Sequence, residues 1–556
     1  MKRTGGQLIV DMLAANQVER VFCVPGESYL AVLDALHDAD IKLTLARQEG
    51  GAAMMAEAWG KLTGKPGICM VTRGPGATNA AAGVHVAAQD STPMILFIGQ
   101  VGRDFREREA FQEVDFKQFF GGMAKWVAEI DDPARVPEFV ARAFAIAQSG
   151  RPGPVVLSLP EDMLRETAEV PSIPVVHPVE TYPGPVAMAR FEDMLRAAKR
   201  PIAILGGSRW SAEAVDRFTR FSERFDMPTS VTFRRQMLFD HLHPNFAGDV
   251  GIGMNPDLRK RIDASDLVLM VGTRLSEIAS QGYTLLQIPS PAQDVVHVHP
   301  DASELGKVYQ PALAIHASPE AFCQALDGLE PDANGLMPWI GQAEEAHKSY
   351  HAWTDTPPQV PGAMQMGAVM QHLRDVLPDD AILANGAGNY ATWIHRFYRF
   401  RRYGTQVAPT SGSMGYGLPG AVAAKLRHPD RTVVAFAGDG CFQMTGLEFA
   451  TAVQEGAALI VLVIDNGMYG TIRMHQEMHY PGRISGTSLH NPDFAALAEA
   501  CGGYGERVER SEDFAAAFAR AKASGRPALL HLLTDPEAIT VTTTLTAMRA
   551  KALENA

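Results

Sequence analysis

One carboxylate and one carboxamide close two apolar runs that lie a short helix apart. They are Asp439 in Ala437-Gly438-Asp439-Gly440 and Asn466 in Ile464-Asp465-Asn466-Gly467. Both offer the hard oxygen that Mg²⁺ prefers, and Mg²⁺ commonly completes its shell with phosphate oxygens. Gly438 and Gly440 leave room for backbone N–H groups to approach such phosphates. A Gly-Asp-Gly alone also marks ordinary turns. Asn466 at the end of the next run moves the reading to a metal–diphosphate site.

The elements that must position this pair are legible. Arg431–Ala437 reads as a buried strand, Gly446–Gln454 as a helix and Ala458–Ile464 as a second buried strand. A unit of that length is usually parallel with a right-handed crossover. It sets Asp439 and Asn466 side by side at the carboxyl edge of a sheet, where open α/β folds bind ligands.

The same rhythm runs along the whole chain in three blocks. The first, from Thr4 to about Glu166, has strand candidates at Arg20–Val24, Lys42–Ala46, Gly67–Thr72, Met94–Gly99 and Pro154–Leu159. A Pro-rich linker, Val170–Pro185, precedes a second block that starts at Pro201–Gly207 and continues through Asp266–Gly272 to Asp294–His299. A further linker near Trp353–Pro361 leads to the third block, Met364 to about Pro536. The chain is therefore predicted to be α/β, with three consecutive doubly wound domains on parallel sheets, at 1–168, 186–330 and 360–538. Residues 539–556, rich in Thr and Ala, read either as a flexible tail or as a lid.

Composition narrows the function classes. At 556 residues the chain is too long for one core, and 46% hydrophobic with 20% charged residues is ordinary for a globular protein. A formal charge of −13 argues against nucleic acid as a partner. No apolar run is long enough to cross a bilayer and no signal peptide is evident, so a cytoplasmic protein without a membrane partner is expected. The five cysteines are scattered, without metal-ligand spacing, and read as reduced thiols; Cys441, beside Asp439, reads as a small packed residue.

Gly438-Asp439-Gly440 with Asn466 resembles the binding signature of the thiamine diphosphate (ThDP) enzymes. The similarity extends over essentially the whole chain and is greatest to the acetolactate synthase catalytic-subunit group. It implies ThDP and Mg²⁺ as cofactors, and pyrimidine-binding, central and diphosphate-binding domains in that order. Asp439, Asn466 and the Met468 carbonyl would hold the metal. Gly388, Asn389 and Tyr390 after the strand Ala381–Ala384, and Gly438, Gly440, Cys441, Met468, Tyr469 and Gly470, would surround the diphosphate. Gly412-Ser413-Met414 matches the segment whose bulky side chain wedges between the cofactor rings. Relatives carry Gly-Gln-His where this chain has Gly388-Asn389-Tyr390.

Glu49 on its residues alone is a common helix-start glutamate interacting with the dipole. The resemblance of Arg47-Gln48-Glu49-Gly50-Gly51 to the pyrimidine-domain motif gives it a different role, exchanging a proton with the cofactor's aminopyrimidine ring. Pro25 and Glu27 would face the reacting carbon, with Glu27 a second acid or base or else an exposed loop residue. Phe111-Gln112-Glu113 resembles a Phe-Gln-Glu segment that lines the synthases' substrate site. Ile472 and His475 would complete that pocket, with Gln112 and His475 close to the chemistry. Arg73-Gly74-Pro75-Gly76 lacks the Lys-Ser/Thr of a nucleotide loop and reads as packing.

Two departures bear on substrate choice. His475 stands where the synthases carry a tryptophan that selects the second keto acid. Glu161 in Leu159-Pro160-Glu161-Asp162 replaces their lysine. Tyr469-Gly470-Thr471-Ile472 is nearer to the decarboxylases of the superfamily. The expected reaction is decarboxylation of a small 2-keto acid followed by carboligation to a second carbonyl compound, with aldehyde release as the alternative. A non-catalytic cofactor-binding protein is a third reading. Biosynthetic relatives hold FAD with Met-His-Gly and Arg-Phe-Asp-Asp-Arg segments. This chain has Gly251-Ile252-Gly253-Met254-Asn255 and Arg274-Leu275-Ser276-Glu277, so tightly held FAD is not expected. In the family the pyrimidine domain of one subunit meets the diphosphate domain of another, which implies a homodimer or homotetramer with shared sites.

Overall fold

The structure is a computed structural model and describes residues 2–171, 175–331 and 337–555. Residues 172–174 of the predicted Val170–Pro185 linker and Ala556 of the tail lie outside the described residues.

Short, almost unbroken apolar runs rich in β-branched residues form strands buried on both faces, as parallel sheets require. The first sheet comprises β1 (Arg20–Cys23), β2 (Lys42–Leu45), β3 (Gly67–Val71), β4 (Met94–Gln100), β5 (Trp126–Glu129) and β6 (Pro154–Pro160). The second comprises β7 (Pro201–Leu205), β8 (Thr229–Thr232), β9 (Phe246–Val250), β10 (Leu267–Val271), β11 (Asp294–His299) and β12 (Leu313–His316). The third comprises β13 (Ile382–Asn385), β14 (Gln406–Val407), β15 (Val433–Gly438), β16 (Ile460–Asp465), β17 (Tyr504–Val508) and β18 (Ala528–Leu533).

Every pairing within these three sheets is parallel. The first runs β2-β1-β3-β4-β6-β5 and the third β14-β13-β15-β16-β18-β17, the same order twice. The second runs β9-β8-β7-β10-β11-β12, an order that in other folds binds dinucleotides where the winding reverses. The three doubly wound α/β units expected from the strand rhythm are present.

The outer sheets share a core. The helix Glu49–Thr63 packs against the Ala- and Val-rich helix Gly417–Arg427, and its Ala52, Ala53 and Ala56 share one buried cluster with Ala421, Ala423 and Ala424. The Gln48 side chain caps the first of these helices by accepting from Gly51 N, and Gly64 at φ +69° ends it. Glu448 from the third unit accepts from Arg47 N (3.1 Å) and Gln48 N (3.0 Å), so Glu49 starts from a braced backbone.

Some elements differ from the sequence expectation. β5, β8, β9, β12, β14, β17 and β18 are not among the strands named from the sequence. Five are edge strands, which need not be continuously apolar, while β8 and β18 are interior strands that carry polar residues such as Ser230 and His531. The predicted helix from Gly446 begins at Glu448, and a separate short helix, Asp439–Gln443, starts on Asp439 itself. The C-terminal segment is not a loose tail. Leu545–Glu554 is a helix capped by Thr544, and Arg549 forks onto the buried Glu477 at 2.6 and 2.8 Å. No helix among the described residues is long and apolar enough to cross a membrane.

Candidate active site

Parallel strands deliver their following loops to one edge, and four loops of the third sheet surround a cavity of about 260 Å³. β13 supplies Gly388, Asn389 and Tyr390, and the loop after β14 supplies Gly412 and Met414. β15 supplies Gly438, Asp439, Gly440 and Cys441; β16 supplies Asn466, Met468, Tyr469, Gly470 and Ile472. Gly438 pairs with Ile464 in the β15–β16 register, which fixes Asp439 beside the Asp465–Asn466 turn. Val360, Trp393, Ile464 and Ile539 add apolar walls.

Glycine is required at two of these positions. Gly412 has φ +68°, and a Cβ on Gly440 would sit 2.5 Å from the Tyr469 ring. Tyr390 donates its hydroxyl to Cys441 Sγ (3.3 Å), which also accepts from Gly415 N (3.2 Å). Cys441 is thus a buried packing residue that also touches the cavity. Asn389 Nδ2 donates to Ile539 O (3.0 Å), tying the C-terminal segment to the first loop.

Asp439 is 3% exposed and has no cationic side chain paired with it among the described residues. Its Oδ2 accepts from Asn491 Nδ2 (2.7 Å) and Met468 N (3.1 Å). Burial, with the nearby Asp465 charge adding to it, pushes the Asp439 carboxyl up to about 6. Burial also works to raise Asp465, but hydrogen bonds with His531 (2.8 Å), Gly467 N (2.9 Å) and Asn491 (2.7 Å) hold it below the ordinary range. A buried carboxylate lacking a cation, with an amide oxygen and a turn beside it, suits a divalent metal finished by ligand phosphates. No cluster of three His, Cys, Asp or Glu side chains that could cage a metal occurs among the described residues.

Three family models cover the chain in sequence: "Thiamine pyrophosphate enzyme, N-terminal TPP binding domain" over residues 3–119, the "central domain" over 188–326 and the "C-terminal TPP binding domain" over 386–532. The last contains the cavity loops after β13 to β16. The chain belongs to the thiamine pyrophosphate (ThDP) enzymes. It is similar to the acetolactate synthase isozyme 2 large subunit of Escherichia coli, at 31% identity over 96% of this chain and 95% of that protein. The acetolactate synthase large subunit of Corynebacterium glutamicum is 30% identical over 97% and 88%, and that of Lactococcus lactis 31% over 90% and 87%. The protein is accordingly a ThDP-dependent enzyme of the carboligase (transferase) kind.

The remaining predicted residues of this ThDP enzyme gather elsewhere, at the carboxyl edge of the first sheet. Pro25 and Glu27 follow β1, Glu49 follows β2, Arg73 follows β3, Phe111 and Gln112 follow β4, and Glu161 follows β6. Arg73 Nη2 donates to Glu27 Oε1 (2.9 Å) and Nε to the Phe111 carbonyl (3.2 Å), while Nη1 lies 3.5 Å from Glu161. Arg73 is therefore an organising cation rather than only packing. Asn79 Nδ2 donates to Glu49 Oε2 (3.0 Å), and a Cβ on Gly76 would come within 3.3 Å of the other Glu49 oxygen. Gln112 holds φ +64° against Gly74, and Phe111 is 73% exposed. None of these residues lines the cavity within one chain. His475 is exposed on the helix Gly470–His479, stacked on His479, and does not line the cavity either.

Sequence reasoning passed over Asp465, Asn491 and His531, the relay behind Asp439. Asp465 stood inside the quoted motif, and His531 is a lone polar residue in the apolar strand β18; Asn491 carried no local signal. Ile539 falls in the segment 539–556, which from sequence reads as a tail or a lid.

Proposed function

We propose that this ThDP enzyme is Mg²⁺-dependent and acetolactate synthase-like. It decarboxylates a small 2-keto acid and joins the remaining fragment to a second carbonyl compound. The observation that carries the reading is the single cavity edge where Asp439, Asn466 and the Met468 loop meet Gly388, Gly440 and Met414. When bound, ThDP supplies a nucleophilic carbon and an electron sink for breaking and making bonds beside a carbonyl.

The chain's own residues hold and orient. Asp439, Asn466 and the Met468 carbonyl are the oxygen ligands assigned to Mg²⁺, with Asn491 aiming the carboxylate. The glycine-rich turns offer backbone donors to a diphosphate. Met414 lines the cavity as the side chain that would support the rings of bound ThDP, and Trp393, Ile464 and Ile539 keep the cavity apolar, which strengthens its electrostatics. Glu49, with Asn79 holding one oxygen, is the carboxyl that would hold or release a proton towards the aminopyrimidine of bound ThDP. Glu27 and Gln112 are assigned to the substrate side, positioned by Arg73 and Gly74. Because the Glu49 edge lies outside the cavity of its own chain, the proposal includes a homodimer or larger homo-oligomer in which one copy's first sheet completes another's third.

FAD is left out of the proposal. The crevice at the carboxyl edge of the central sheet has a volume of about 50 Å³. Arg235 spans it, donating to Gly207 O (2.7 Å) and Asp90 O (3.0 Å), and with Gly207 and Ser208 also lines an adjoining space of about 220 Å³. The Met-His-Gly segment of FAD-holding relatives is absent from this chain.

Aldehyde-releasing decarboxylation is the second reading, favoured by Ile472 at the cavity and by His475 facing solvent. The test incubates the purified chain with pyruvate, ThDP and Mg²⁺ and follows CO₂ and product mass. Acetolactate supports the first reading and acetaldehyde the second. Untouched pyruvate, with no turnover of any other 2-keto acid in a panel, overturns both.

A further inference from the structure

The four residues leading into Gly412–Met414 are gripped from two other units. Lys61 Nζ donates to Ala408 O (2.9 Å), and Arg234 Nη1 donates to Pro409 O. Thr410 donates to Asp90 Oδ1 through both its backbone N and its hydroxyl (2.7 Å each), and Ser411 N lies 3.3 Å from the same oxygen. Lys61 and Asp90 belong to the first unit and are themselves paired at 2.5 Å. Arg234 follows β8 in the central unit.

Arg234 does more than grip one loop. Its Nη2 donates to Gly386 O (2.8 Å), in the β13 loop that carries Gly388 and Tyr390. One planar guanidinium thus bridges both loops that flank the cavity, using the fork geometry that distinguishes arginine from lysine. Arg234 is 4% exposed, no carboxylate pairs with it among the described residues, and its Nε has no partner there. Burial pushes the guanidinium down to about 10, with Tyr390, Asp90 and Cys441 opposing that shift, so it stays charged at neutral pH. A buried charge without a counter-ion is costly unless something compensates it. Two carbonyl dipoles compensate part. An anion in the cavity that Tyr390 and Cys441 line would compensate the rest.

We propose that Arg234 is a positioning residue through which the central unit takes part in cofactor binding. It holds the Gly386–Tyr390 and Gly412–Met414 loops in register and sets a fixed positive charge behind the diphosphate end of the cavity. This rests on the reading of the cavity as the ThDP–Mg²⁺ site.

The test compares the full-length wild type with Arg234→Met, Arg234→Lys and Thr410→Val. Four quantities are read: affinity for ThDP with Mg²⁺ present, affinity for thiamine (which lacks the diphosphate), kcat against KM for the keto acid, and the melting temperature without cofactor. Arg234→Met weakens ThDP by about tenfold or more, a charged hydrogen bond's share, and weakens thiamine much less. Arg234→Lys recovers ThDP affinity in part through its charge. It does not recover kcat, because an ammonium cannot span both carbonyls, and KM stays near wild type. Thr410→Val, which loosens only the Asp90 grip, lowers kcat in the same direction by a smaller factor.

Unchanged ThDP affinity and kcat in Arg234→Met overturn the inference, as does an equal loss for thiamine and ThDP. Should the Arg234 variants not fold, Thr410→Val decides, and an unchanged kcat there overturns it. A wild type that binds no ThDP overturns the assignment of the cavity itself, and the inference with it.

Discussion

The first and third sheets have the same strand order, yet their carboxyl edges differ in kind. The third opens a cavity with a buried, cation-free Asp439 and apolar walls, which suits holding a charged ligand. The residues at the carboxyl edge of the first sheet do not line that cavity. That edge presents Glu49, Glu27 and Arg73 beside the exposed Phe111, which suits acting on a ligand held elsewhere. On the proposed function, one topology provides two half-sites, one for affinity and one for chemistry, and a second copy of the chain completes each.

Substitutions break that comparison in order of expected size. Asp439→Asn removes the carboxylate proposed to hold the metal and is expected to weaken ThDP–Mg²⁺ binding by about 100-fold or more, measured by titration calorimetry. Glu49→Gln, on the other edge, is expected to keep the fold and the affinity and lose about 10²- to 10⁴-fold in turnover. Near-normal turnover in that variant removes Glu49 from the mechanism. A large loss of affinity there erases the division between the edges.

A smaller effect is expected where the C-terminal helix closes the third edge. Glu477 is fully buried, and hydrogen bonds from Arg549 first, then Gly482 N and Arg473, hold its carboxyl down to about 2 against the desolvation of burial. A depressed carboxylate stabilises in full above the ordinary 4.5 and loses that contribution as pH falls towards 2. Glu477→Gln is expected to cost about 3 kcal/mol in the docking of Leu545–Glu554, read as faster amide exchange in that helix at neutral pH. It also removes the part of acid unfolding that falls between those two values.

Much of this was legible in the sequence because it is local. Apolar runs give most of the interior strands of the three sheets, and the β15–helix–β16 unit puts Asp439 and Asn466 together from their spacing alone. Most edge strands escaped because their half-exposed faces break the pattern, although the edge strand β2 was legible, and the interior β8 and β18 escaped because polar residues interrupt them. The Asn491–Asp465–His531 relay, the Arg549–Glu477 anchor and the Arg234 bridge escaped for another reason. Each joins residues far apart in sequence, and only the folded topology brings them together. His475 marks another limit: matching a motif assigns it to the pocket, and in the single chain it is exposed on its helix and stacked on His479.

The account's central claim is that the two edges act on one cofactor from different chains. Glu49→Gln and Asp439→Asn, each inactive alone, are co-expressed and the mixed dimer isolated with two different affinity tags. In a two-fold dimer one of its sites takes both substitutions and the other neither. The account predicts that the mixed dimer recovers about half the wild-type activity per dimer. A mixed dimer as inactive as its parents would contradict it.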